Sequence, residues 1–180
     1  MTKKFNTRNE LIEVLPKEMK IVEIGVFKGD FSKLIFQNMN PSELILVDIF
    51  EGYMGSGDKN GDNMEYVMLE AEYDKLKKHF NENKNVKIIK SKSNDFLSSI
   101  EDESLDMVYI DASHEYEDVV IDLKISYKKV REGGFICGHD YVSPRFECVV
   151  RAVDELCVEK NLSIKYLTND GCPSYCIVKK

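Results

Sequence analysis

The chain has 180 residues, of which 43% are hydrophobic and 32% charged, with a formal net charge of -7. That length suits one domain with a self-sufficient core, the apolar fraction excludes disorder, and the negative balance argues against a dedicated nucleic-acid binder. No apolar run reaches the roughly 20 residues of a membrane helix, the start MTKKFNTRNE is too polar for a signal peptide, and five cysteines (Cys137, Cys148, Cys157, Cys172, Cys176) without a C-x-x-C pair suit a reducing compartment, so a cytoplasmic domain with no membrane partner is expected.

Residues 1–19 read as a short extension with one helix near Arg8–Leu15, and the whole of 1–180 as a single domain. Short apolar runs then predict strands at Lys20–Gly25, Glu43–Asp48, Val86–Lys90, Leu105–Asp111 and Gly133–Gly138, each of the kind a sheet covered on both faces requires. Helical periods fall between and after them, at Asp30–Met39, Glu65–Phe80, Asn94–Ile100, Tyr116–Val130 and about Arg145–Lys160. This alternation predicts a doubly wound, mostly parallel α/β sheet built from right-handed crossovers. Leu162–Leu167 and Ser174–Val178 are separated by six residues only, too few for a parallel crossover, so they form an antiparallel C-terminal β-hairpin and bring the sheet to seven strands. The connection 49–63, IFEGYMGSGDKNGDN, holds four of the ten glycines and reads as a long loop, either a binding lid or a tolerated surface insertion. Between Lys75 and Lys92 seven lysines stand against one glutamate, which a solvated helix face explains.

The chemistry gathers at predicted strand ends, where ligands bind in doubly wound sheets. After the first strand, Glu23-Ile24-Gly25-Val26-Phe27-Lys28-Gly29 supplies an acid and two glycines. Gly25 removes a Cβ so that a ligand can approach the backbone, and Gly29 lets the helix begin tightly. A dinucleotide fingerprint would need glycine where Val26 stands, so the loop is poor for pyrophosphate and suits a ligand with an amino group facing Glu23. Nineteen residues after Gly29, Asp48 ends the second strand beside Ile49, where a carboxylate can accept both hydroxyls of a ribose. An amino acid joined to a ribose without phosphate describes S-adenosylmethionine.

With its E-x-G-x-x-x-G loop, acidic second-strand end and terminal hairpin, the chain resembles the class I S-adenosylmethionine-dependent methyltransferases, with their Rossmann-like fold, from Lys20 to Lys180. The resemblance implies that Glu23, Gly25, Gly29, Asp48, Ile49 and Asp111 line the cofactor site. It also puts Ser93 beside the adenine, although a helix N-cap at Ser93 or Asn94 is an equal reading. The segments Ile110–Tyr116 (IDASHEY) and Gly133–Tyr141 (GGFICGHDY) resemble the branch related to macrolide and aminocoumarin sugar O-methyltransferases. That branch implies a divalent cation on acids at Asp111 and Asp140 and a general base after the fourth strand. Ser113 and His139 replace two of its aspartates, leaving two oxygen ligands, too few for magnesium; a transition metal on a mixed Asp/His site, or no metal, are the other readings.

His114 and His139 each lie beyond a strand end next to an aspartate, and histidine can take a proton from a reacting hydroxyl. His114 is the first candidate for the base and His139 the second; a helix cap at His114 and a supporting role for His139 are the alternatives. The expected function is methylation of a hydroxyl on a small molecule, in a pocket made from loops, with a homodimer able to supply a wall. A non-catalytic S-adenosylmethionine-binding module is the second reading, and a nicotinamide-dependent oxidoreductase, lacking its middle glycine, the third.

Overall fold

A computed structural model describes residues 2–56 and 65–180. The described elements, in chain order, are β1 (Lys3–Phe5), α1 (Arg8–Glu13), β2 (Lys20–Ile24), α2 (Asp30–Met39), β3 (Glu43–Asp48), β4 (Tyr53–Ser56), β5 (Glu65–Met68), α3 (Leu69–His79), β6 (Val86–Lys90), α4 (Ser93–Ser99), β7 (Leu105–Ile110), α5 (Tyr116–Lys129), β8 (Val130–Gly138), α6 (Glu147–Glu159), β9 (Ile164–Thr168) and β10 (Tyr175–Val178). No helix among the described residues is long and apolar enough to cross a membrane.

Alternate residues of the central strands go to opposite faces, as the two-residue period of a strand dictates. Ile21, Leu44, Leu46, Met107 and Tyr109 join one buried cluster with Leu11, Ile35, Met39 and Leu76 of α1, α2 and α3. Val22, Ile24, Ile45, Val47, Val108 and Ile110 join a second with Leu97, Leu123 and Val153 of α4, α5 and α6. The unbroken apolar runs of the sequence are therefore the signature of a sheet with helices on both sides.

The strand order is β1-β9-β10-β8-β7-β2-β3-β6, and β10 alone runs against its neighbours. The chain lays down β2, β3 and β6 outward in one direction and then returns to place β7 and β8 on the other side of β2. The order reverses between β2 and β7, and the crevice that this reversal opens lies above their carboxyl ends.

The doubly wound sheet and its C-terminal hairpin match the sequence expectation, with differences at three places. Lys3–Phe5 pairs in parallel with β9 as an eighth strand at the edge, Lys3 opposite Tyr166 and Phe5 opposite Thr168. A three-residue strand whose partner lies some 160 residues away leaves no local signal. Glu65–Met68 is strand rather than the start of a helix: it pairs antiparallel with Tyr53–Ser56, and α3 begins only at Leu69. Part of the expected loop is therefore a β-ribbon, while residues 57–63 of that loop lie outside the described residues. The segment EYVM carries an aromatic and a β-branched residue, which favour a strand once a partner is present.

Gly25 fixes the geometry of the crevice. It sits at φ +85°, and a Cβ built on it would lie 2.0 Å from the carbonyl oxygen of Asp111 and 2.8 Å from the Cα of Ala112. The bare Cα of Gly25 is thus packed against the chain's own backbone after β7, a contact the sequence reading did not foresee. Gly29, at φ +73°, caps α2 with Leu76 of α3 packed against its bare Cα. Gly25→Ala should destabilise the fold by about 2–5 kcal/mol, combining left-handed strain with a clash against rigid backbone, as read by urea unfolding. A loss below ~1 kcal/mol would mean the two strand ends can slide apart.

Candidate active site

The first loop is held by a single carboxylate. Asp48, at the end of β3, accepts the backbone N–H groups of Val26 and Phe27 on Oδ2 at 2.8 and 3.0 Å, and that of Phe50 on Oδ1 at 2.9 Å. Phe27 and Phe50 take positive φ values of 52° and 45°, conformations these amide bonds help to fix. Of roughly four acceptor positions on a carboxylate, one on Oδ1 has no partner among the described residues. Asp48 therefore carries the loop as well as whatever binds above it, a role the sequence reading did not assign. Ile49, next in the chain, is 47% exposed and presents an apolar wall at the same strand end.

Glu23 is buried, at 1% exposure, and accepts a hydrogen bond from the Ser32 hydroxyl at 2.5 Å. Burial is the main reason its carboxyl is pushed up to about 8; the Ser32 bond opposes this, Asp111 and Asp48 add to it, and Arg8 opposes it. At neutral pH it is mostly protonated, and its ionised form would be favoured by any cation arriving above β2.

Asp111 joins this loop to the rest of the site. Its backbone N–H donates to Ile24 at 2.8 Å and its carbonyl packs on Gly25. Its side chain meets Arg8 Nη1 at 3.3 Å through Oδ2 and His139 Nδ1 at 3.6 Å through Oδ1. Burial raises its pKa, with His139 and Arg8 acting against the rise and Asp140 with it. Arg8, the first residue of α1, also lies over the Phe31 ring, its guanidinium carbon 4.1 Å from the centroid. It is the site residue that sequence reasoning missed. The short helix was legible, but its place over the ends of β2 and β7, held by the burial of Leu11 and Ile12 and by the pairing of β1 with β9, was not.

The two histidines meet around Asp140. His114 Nε2 lies 2.6 Å from Asp140 Oδ2, and its ring stacks on Phe146 at 4.4 Å and 24°. His139 Nδ1 lies 3.4 Å from Asp140 Oδ1. Asp140 adopts a left-handed φ of 60°, which turns its carboxylate back between the two rings. Burial works against its ionisation, but the bonds to His114 and His139 outweigh that and hold it below the usual carboxylate range. His114 is raised in turn, chiefly by the Asp140 bond, and its side chain is 40% exposed. With Nε2 turned to Asp140, Nδ1 is the nitrogen left to face a substrate.

The cap reading for His114 does not hold. Glu115 is the N-cap and makes no side-chain cap bond, while the Ser113 hydroxyl ahead of it accepts the Glu115 N–H at 3.1 Å and donates to Asp118 at 2.8 Å. Ser93 opens α4 without a side-chain cap bond, and its hydroxyl is turned to the buried Asp122 of α5. The neighbouring Asn94 Oδ1 is buried without a hydrogen-bond partner.

One ligand atom from each of Asp111, His139 and Asp140 lies within 4.8 Å of the others, a spacing that could hold a metal ion. Each carboxylate already faces a nitrogen of the chain: Asp111 faces Arg8 and His139, and Asp140 faces both histidines. Arg8 and His114 occupy the Oδ2 atoms, whereas both Oδ1 atoms face His139 Nδ1, so a cation held by this trio would take the place of a proton on that nitrogen.

A model of the methyltransferase domain matches residues 22–141, which include both glycines, Asp48, Asp111 and the two histidines. The uncharacterized protein R132 of Acanthamoeba polyphaga mimivirus is 28% identical over 152 residues, 79% of this chain and 61% of that protein. The chain thus spans about three-fifths of that relative's length. Among solved structures, a candidate rRNA methylase from Clostridium thermocellum superposes with a TM-score of 0.68 at 17% identity, covering 99% of this chain and 98% of that one. A candidate methyltransferase from Streptococcus mutans in complex with SAH does so with a TM-score of 0.67 at 11% identity, covering 96% of both chains. With a family model covering about two-thirds of its length, the chain belongs to the methyltransferase-domain family, and the solved structures share its fold.

Proposed function

We propose that the protein transfers the methyl group of S-adenosylmethionine to a hydroxyl of a small molecule, with His114 as general base. The observation that carries this reading is the His114–Asp140 pair at 2.6 Å, one turn of chain beyond Asp111, whose carbonyl is packed on Gly25. The donor groove and a carboxylate-held imidazole are thereby neighbours.

The groove has the donors and acceptors an aminoacyl nucleoside asks for. The open acceptor position on Asp48 Oδ1 suits a ribose hydroxyl, Ile49 an adenine face, and Asp111, with Glu23 once it ionises, an ammonium. When bound, the cofactor supplies a methyl made electrophilic by the sulfonium. What the chain adds is placement of the acceptor oxygen in line with it and removal of the acceptor proton. His114, in the tautomer with Nε2–H donated to Asp140, accepts that proton on Nδ1, and Asp140 stabilises the imidazolium that results. His139, between Asp111 and Asp140, orients both acids. The C. thermocellum neighbour bears the name of an rRNA methylase. The net charge of -7 favours a small acceptor over a polyanion here.

Two outcomes are expected. His114→Asn should lower kcat about 10²–10⁴-fold while leaving the affinity for SAH within about two-fold, measured as SAH formed with a panel of sugars and phenols. Because the pKa of His114 lies above 6.5, wild-type turnover should climb with pH through an inflection above that value, and the variant should lose the climb. Methyl transfer to RNA transcripts with none to the panel would overturn the small-molecule reading.

Binding of a ligand that carries an ammonium favours ionised Glu23, so affinity for SAH should rise with pH up to about 8 and then level, with about one proton released per ligand bound below that pH. Stability moves the other way. A carboxyl raised by folding stabilises the ligand-free protein fully below its unfolded pKa of about 4.5, and this is lost as pH climbs through 8. Glu23→Gln should therefore raise the Tm of the ligand-free protein more at pH 8 than at pH 5, while abolishing the pH dependence of binding in calorimetry.

A further inference from the structure

The acids above β2 and β7 are matched by one cation from outside the sheet, and its position has a consequence for the ligand. Arg8 meets Asp111 through one 3.3 Å contact, longer than the 2.7–2.9 Å of a well-formed charged hydrogen bond and using one of its five N–H donors. Stacking and the neighbouring Tyr109 hydroxyl hold it there together with that bond. Its guanidinium lies on Phe31, and Phe31 in turn packs on Tyr109 with ring centroids 4.4 Å apart. The helix that carries it is anchored independently: Thr7 caps it by accepting the Glu10 N–H, Glu10 accepts the Asn6 N–H at 2.9 Å, Leu11 and Ile12 are fully buried, and β1 is paired to β9. Other cations of the first loop and helix have different positions. Lys33 bonds Asp30, and Lys28 lies over the Phe27 ring. Arg8 is 30% exposed on its side chain and Asp111 25%, so the pair closes the crevice without being sealed inside the protein.

We infer that Arg8 is the residue that binds the α-carboxylate of the cofactor's amino-acid end, by exchange of ion pairs. The inference rests on the donor reading above. A zwitterionic amino acid inserted between Arg8 and Asp111 gives its carboxylate to the guanidinium and its ammonium to the Asp111 carboxylate. Each partly buried charge then has a partner before and after binding, which avoids the cost of stranding either one. The planar guanidinium can form the bidentate pair with the ligand carboxylate that it does not form with Asp111. The N-terminal segment thereby becomes a wall of the donor site rather than an appendage, and its anchoring strand β1 acquires a reason.

Calorimetry on the full chain with SAH and with its decarboxylated analogue, S-adenosyl-3-thiopropylamine, tests this. The analogue keeps the nucleoside and the ammonium and lacks only the carboxylate. Arg8→Gln and Arg8→Ala should weaken SAH about 10–100-fold and the analogue by less than about three-fold, so that the variants no longer distinguish the two ligands; Arg8→Lys should recover part of the preference. Urea unfolding of each variant identifies any that has lost its fold, and Arg8→Gln, which keeps part of the aliphatic stem and a polar planar head without the charge, is the variant to rely on if Arg8→Ala unfolds. An equal loss for both ligands, or no loss for either, overturns the assignment of Arg8 while leaving the donor reading in place. Failure of the wild-type protein to bind SAH overturns both.

Discussion

The contact on which the site depends is the one between two backbones: the bare Cα of Gly25 against the carbonyl of Asp111. It draws the ends of β2 and β7 together at the point where the sheet changes winding direction. From that contact the rest follows by short chain distances. Val26 and Phe27, next to Gly25, can reach Asp48 only because the loop turns tightly there. His114, three residues after Asp111, is delivered to Asp140, which enters from the neighbouring β8. The glycine that reads as room for a ligand is also the joint between the ends of β2 and β7.

How far this was legible in the sequence depends on the range of the interaction concerned. The buried strands announced themselves as apolar runs because each is covered on both faces, and the terminal hairpin because six residues cannot make a crossover. Glu23, Asp48, Asp111, His114, His139 and Asp140 were all found from their place after strands, and the structure gathers them at adjacent strand ends. What stayed hidden was set by distant pairing or by orientation. The strand Lys3–Phe5 exists only by virtue of β9, and Arg8 is held in the site by that pairing together with the burial of Leu11 and Ile12. That Ser93 turns to Asp122, and that Asp48 serves loop amides, depends on side-chain directions that spacing does not encode.

Charge placement explains why these groups can coexist. Glu23 and Asp111 sit in apolar surroundings that push both toward the protonated form, whereas Asp140 is held ionised by two imidazoles. Environments that drive neighbouring carboxyls apart in this way assign them different tasks. Glu23 is poised to become an anion when a cation arrives, so it costs little in the ligand-free protein. Asp140 is already an anion, and it must be one in order to fix the tautomer of His114.

The same asymmetry bears on the kind of acceptor. A methyl transfer that ends with a proton on His114 places an imidazolium between Asp140 and the departing product, and Phe146, stacked on that ring, keeps water from one face of it. Asp140 is nine-tenths buried on its side chain while His114 is 40% exposed, so the new charge is stabilised by one short hydrogen bond and by solvent on its open side. Such a base gains most where the acceptor holds its proton tightly, as an alcohol does, and gains little where the acceptor is a lone pair already free to attack. The Asp140–His114 pair is therefore itself an argument for oxygen as the receiving atom, made by the electrostatics of the site rather than by likeness to any relative.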